Sequence, residues 1–225
     1  MRMTTISNNK FIDFLNEGVA KGGFQNEDIV AVCLPLFKEI LTFHEQNKVA
    51  PLDGLKHILI TNDFLDIDEK FIESPKLNNK LLAKIVEPVS DAFTIIGEVK
   101  STTDINKSLI SNINLEVQLD KSNEITKPVF LLGYTCYEMQ INHHDAMTDI
   151  FVLGLIIGSI STGLNLNKEV DLNSFVNNRK SLVFINKSIH PAIANLIMEM
   201  TELDRKNRIR DLNEVIEKLK HYRDY

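Results

Sequence analysis

The run TDIFVLGLIIGSIS, from Thr148 to Ser161, is apolar almost all the way round a helix and so leaves no face for water. Its most apolar part, Ile150 to Ile160, is too short to cross a bilayer, which needs about 20 residues. The run therefore predicts a buried core helix that the rest of the chain must surround. With 225 residues, 44% of them hydrophobic, the chain can supply one large core, and a single domain over 1–225 is the simpler expectation.

Charge narrows the function classes. A net charge of -6 argues against a protein built mainly to grip phosphate backbones, which takes clustered Lys and Arg. Cys33 and Cys136 lie far apart and outside any CxxC spacing, so neither a disulfide framework nor a zinc ribbon is indicated. A reducing, cytoplasmic setting is expected. The first residues lack the continuous apolar stretch of a signal peptide.

The fold class expected is mainly α with short β-strands. Phe11, Ile12, Phe14 and Leu15 suggest a first helix behind Ser7 or Asn8. After Gly22 and Gly23, the spacing of Ile29, Val32, Cys33, Leu36, Ile40 and Phe43 predicts a longer one, with Pro35 kinking it or marking its early turns. Two short strands, His57 to Ile60 and Phe64 to Ile67, flank a turn at Asn62 and Asp63. Residues 70–127 are weakly patterned and read as a partly structured α/β insertion. Two further helices are predicted, Pro191 to Met200 and Leu212 to Lys220.

The order of these parts, with several motifs, resembles the C-terminal lobe of a eukaryotic-type protein kinase. TELDRKNRIRDLNEVIEKL, from Thr201 to Leu219, is similar to the family's Asp-Pro, two variable residues, Arg-Pro and final helix: Asp204 and Arg208 keep the acid and the arginine, while Arg205 and Ile209 replace the prolines. Tyr137 and Glu138 stand where Pro-Glu of Ala-Pro-Glu would be, and Asp149 where the central-helix aspartate sits. Leu153-Gly154 and Thr162-Gly163 also follow the family's pattern. The resemblance implies a structural frame of Glu138, Asp149, Asp204 and Arg208. In it Glu138 pairs with Arg208, and Asp149 accepts backbone N–H bonds from the loop at Ala50 and Pro51. Residues 70–127 then become an insertion in the activation-segment region.

The same resemblance implies lost catalysis. Ala50, Pro51 and Leu52 take the places of His-Arg-Asp, so leucine stands at the catalytic base. Gly54 replaces the loop lysine and His57 the metal-binding asparagine, and of Asp68-Glu69-Lys70 only Asp68 could serve as a residual magnesium ligand. No Gly-rich loop or Val-Ala-x-Lys strand precedes Phe11, so the small N-terminal lobe is absent. The loop HEQNKVAPLDGLKHILI further resembles the N-terminal kinase-like module of large bacterial helicase-type proteins. The expected function is a noncatalytic interaction or regulatory module of such a helicase, with no catalytic residue, no cofactor and no membrane partner. Its partner is then another protein or the remainder of a larger helicase-type chain, and it meets nucleic acid only indirectly. The close at HYRDY, just past the last helix, suits an accessory-domain boundary. The competing reading is an atypical phosphotransferase completed by another chain. A third is a nucleic-acid adaptor using the cations around Arg205 to Arg210.

Sharper chemistry has bland competitors. His143, His144 and Asp145 could bind metal, but neighbouring side chains on a helix diverge by about 100° and no third ligand is suitably spaced, so a solvated loop before a helix is preferred. Asp63, Asp66 and Asp68 lack EF-hand spacing and read as charges facing water. Cys136 reads as a packed thiol rather than a nucleophile, and Asp53 as a weak candidate for a displaced base.

Overall fold

The computed structural model describes residues 9–50, 52, 54–55, 58–61, 64–67, 128–140 and 143–225. The expected insertion at 70–127 lies outside them, as do Pro51, Asp53, His57, Asp63 and Asp68. The described chain is mainly helical. Helices α1 (Asn9–Ala20) and α2 (Asn26–Glu45) come first, then an antiparallel hairpin of β1 (Ile58–Thr61) and β2 (Phe64–Ile67), in which Ile58 pairs with Ile67 and Thr61 with Phe64. The short α3 (Tyr137–Gln140), the central α4 (Ala146–Thr162) and α5 (Glu169–Asn178) follow, α5 running into a 3-10 helix at Arg179–Phe184. The chain then forms α6 (Pro191–Met200), α7 (Leu212–Lys220) and a last 3-10 turn.

Every side chain of α4 from Thr148 to Ser161 is buried, as its uninterrupted apolar composition requires. Helices α2 and α6 pack against it. Gly154 permits the close approach of α6, because a Cβ there would come within 2.7 Å of Thr201 Cγ2 and 2.8 Å of Met200 Cβ. α2 turns its buried stripe, Ile29, Val32, Cys33, Leu36, Phe37, Ile40 and Phe43, towards the same core and also carries the hairpin through β2. Pro35 lies inside α2 rather than in its early turns. The helix tolerates it at the cost of one missing N–H donor.

The far parts of the chain are tied to one another by polar contacts. Asn26 Nδ2 donates to Ser188 O at 2.9 Å, and its Oδ1 accepts from His190 N–H at 2.8 Å. Tyr222 Oη donates to Glu27 Oε1 at 3.1 Å, and Arg223 pairs with the same carboxylate. Among the described residues, no helix is long and apolar enough to cross a membrane.

Candidate functional site

The N-terminal end of α4 gathers most of the buried charge among the described residues. Asp145 is its N-cap: Oδ1 accepts Thr148 N–H at 3.0 Å, and Asp145 N–H donates to Thr148 Oγ1 at 3.3 Å. This reciprocal box satisfies helix-end donors, and the carboxylate sits well against the positive end of the helix dipole.

Glu138, on α3, meets Arg208 through both oxygens. Nη1 donates to Oε2 at 3.0 Å, and Nη2 lies 2.9 Å from Oε1. Arg205 brings a second guanidinium, with Nη1 3.0 Å from Glu138 Oε1 and Nη2 bonded to Asp145 Oδ2. Two carboxylates thus face two guanidiniums, all four side chains buried. Arg208 also donates to Glu202 O and Met147 O and lies 4.7 Å over the Phe151 ring. Burial by itself would push the Glu138 carboxyl up, but the two guanidiniums outweigh it and hold the group well below the usual carboxylate range. Asp145 shows the same balance, held down by Arg205 and by its bond to His143. The paired cations rise in turn: burial disfavours their charge, and Glu138 overcomes that for both.

One turn further, Asp149 is fully buried and accepts three bonds. Ala50 N–H donates to Oδ2 at 2.8 Å, His44 Nε2 lies 2.9 Å from Oδ2, and His144 Nε2 lies 2.6 Å from Oδ1. Desolvation opposes the anion, but His144 and His44 outweigh it and keep the carboxyl below its ordinary range. The segment held in this way is apolar: Val49, Ala50, Leu52 and Leu55 are all buried.

The contacts expected between Glu138 and Arg208 and between Asp149 and Ala50 are present. Asp204 does not join the cluster. Its Oδ1 accepts Lys206 N–H and its Oδ2 accepts from Asn207, which shapes the turn before α7. The preferred reading of His143 and His144 as a solvated loop is corrected. His143 is buried and 3.2 Å from Asp145, and His144 is held by Asp149. The adaptor reading loses two of its cations, since Arg205 and Arg208 are turned inward. Asp145, His44 and Arg205 belong to the cluster although their sequence neighbours gave no sign of it. Arg179 is likewise buried, donating to Met198 O and pairing with Glu202.

Cys136 donates its S–H to Glu138 Oε2 at 2.7 Å, and burial together with that carboxylate pushes the thiol up, away from the thiolate a nucleophile needs. The neighbouring Tyr137 phenol is raised in the same way. No group of three His, Cys, Asp or Glu side chains is placed to hold a metal ion among the described residues. Comparison with protein-family models, with curated proteins and with solved structures returned no match.

Proposed function

We propose that the chain is a noncatalytic kinase C-lobe-like module that binds or regulates another protein, as the accessory part of a bacterial helicase-type protein. The kinase resemblance supplies the frame, and one observation carries the loss of catalysis. Leu52, where the resemblance puts the base, is only 1% exposed and packs in the core. A buried leucine accepts no proton and presents nothing to a substrate hydroxyl. The neighbouring charges are engaged with one another, which suits a rigid platform on which a partner docks.

Thermal unfolding with millimolar Mg-ATP, alongside a phosphotransfer assay, tests the noncatalytic part. Neither a shift nor transfer is expected, whereas a ligand at a hundred times its Kd would add roughly 2.7 kcal/mol and raise the Tm visibly. A magnesium-dependent rise abolished by Asp68→Ala, or labelled phosphate transferred above a Leu52→Arg control, would overturn the reading in favour of an atypical phosphotransferase. The helicase part is tested by joining the module to a helicase core from the same genome and measuring its ATPase and unwinding rates. Rates unchanged by the module would remove that part.

A further inference from the structure

We propose that His44, Asp149 and His144 form a protonation-set latch that holds the Ala50 backbone, and with it the segment leading to β1, against the first turn of α4. This inference goes beyond the proposed function and stands without it.

The geometry makes the latch. An ionised carboxylate only accepts, so both imidazoles must present Nε2–H to Asp149, one to each oxygen. His44 closes the end of α2, His144 lies just before α4, and Ala50 adds its N–H on the side of His44. Three segments of the chain therefore converge on one carboxylate that has no solvent exposure, while the His44 and His144 side chains remain 11% and 21% exposed. Protons can reach the imidazoles, but water does not share the load on the anion.

With both imidazoles neutral, the trio carries one negative charge in a desolvated place. One proton on His144 turns it into a neutral ion pair, and the bonds to the carboxylate become charge-assisted. Among the described residues, the titratable and charged groups around the trio come from four parts of the chain. His44 comes from α2, followed by exposed Glu45 and by Lys48, which donates to Gln46 Oε1. His143 and Asp145 come from the segment before α4, Glu138 from α3, and Arg205 and Arg208 from the turn before α7. The two guanidiniums are committed to Glu138 and Asp145, so among the described residues the proton on His144 supplies the counter-charge for Asp149. Burial alone would lower the His144 pKa, but the charge and hydrogen bond of Asp149, helped by Asp145 and Glu138, raise it above the ordinary value.

The sign follows from that rise. A group whose pKa is raised in the closed state contributes fully below its open-state value, about 6.5, and that contribution is lost as pH climbs through the raised value. The latch is therefore tight below the ordinary histidine value and loosens as pH climbs through the raised one. Asp149, held below its ordinary range, releases it only as pH falls below the usual carboxylate values.

Nuclear magnetic resonance on the intact chain tests this, following the His144 ring signals and the Ala50 amide from about pH 5.5 to 9. Both should report one shared transition above the ordinary histidine range. Protection of the Ala50 amide, corrected for intrinsic exchange, should fall about tenfold for each unit by which the His144 pKa is raised. His144→Gln keeps an N–H donor without that titrating ring and should remove from the Ala50 signal the transition that tracks His144. An Ala50 amide that ignores the His144 transition in the wild-type chain overturns the proposal, as does a transition that survives His144→Gln. The wild-type titration decides alone if the variant does not fold.

Discussion

The two ends of α4 are fastened by different chemistry. At its N-terminal end Glu138, Asp145, Asp149, Arg205 and Arg208 meet as ions with three histidines. At its C-terminal end the polar groups bonded to the helix are neutral. Leu166 N–H donates to Tyr134 Oη, Tyr134 donates to Ser159 Oγ at 2.6 Å, and Ser159 donates to Leu164 O. Gly163 closes the helix in the left-handed region at φ 75°, and Asn186 donates to Ser161 O. The comparison separates two ways of holding a greasy helix in place. Ions give a strong but interdependent anchor, since removing one partner strands another. Hydroxyls give a relay in which each loss costs about one hydrogen bond.

The largest expected effect breaks the ionic end. Glu138→Ala and Arg208→Ala should each cost about 3–5 kcal/mol, while the double variant loses much less than the sum. Denaturant midpoints for the four proteins of the cycle measure this, and strictly additive losses would show that the two side chains are uncoupled. Asp149→Asn should cost about 1.5–3 kcal/mol by weakening the charge-assisted bonds to Ala50, His44 and His144. Its denaturant curve should shift in midpoint without a change of slope.

The neutral end should yield smaller numbers. Gly163→Ala is expected to cost roughly 1–2 kcal/mol, because a Cβ in that conformation is strained and here would come within 2.8 Å of Val19 Cγ2. Tyr134→Phe should cost about 1–2 kcal/mol, since Ser159 retains its bond to Leu164 while the Leu166 N–H loses its acceptor.

The sharpest form of the comparison is its pH dependence. Glu138, Asp145 and Asp149 all have lowered folded-state values, so their contribution is present above the ordinary carboxylate range and lost as pH falls through the folded values. Burial, only partly offset by Ser159 and Leu166, pushes the Tyr134 phenol up to about 12, so it stays neutral throughout. The cost of Tyr134→Phe should therefore be the same at about pH 4 and pH 8, whereas the coupling between Glu138 and Arg208 should shrink towards acid. Equal shrinkage at both ends would erase the distinction.

Helices with a strong local pattern were legible from sequence. Pro191 to Met200 and Leu212 to Lys220 carry their boundaries in a first-turn proline and in an Asp211 cap, and the hairpin was announced by two apolar runs around Asn62 and Asp63. α5 and its 3-10 extension were not anticipated: EVDLNSFVNN is largely polar, and only Leu172, Phe175 and Val176 turn inward. The contacts of Glu138 and Asp149 were expected from a family resemblance rather than from periodicity. Arg205 escaped because a charged residue in a polar turn looks solvated until its partner is known, and Asp145 lies 60 positions away. His44 is farther still, 105 positions from Asp149. Local pattern reports which face is apolar, and it is silent on which distant charge will be met.

The link between Glu27 and Arg223 has a consequence for the order in which the protein is made. The two residues are 196 positions apart, which at about 5–20 residues per second means that α2 leaves the ribosome roughly 10–40 s before its far partner exists. Until α4 is made, at residues 146–162, the stripe from Ile29 to Phe43 has neither that helix nor α7 to cover it. Until then the nascent chain carries an oily helix face that only the hairpin can begin to cover, the kind of surface that chaperones bind.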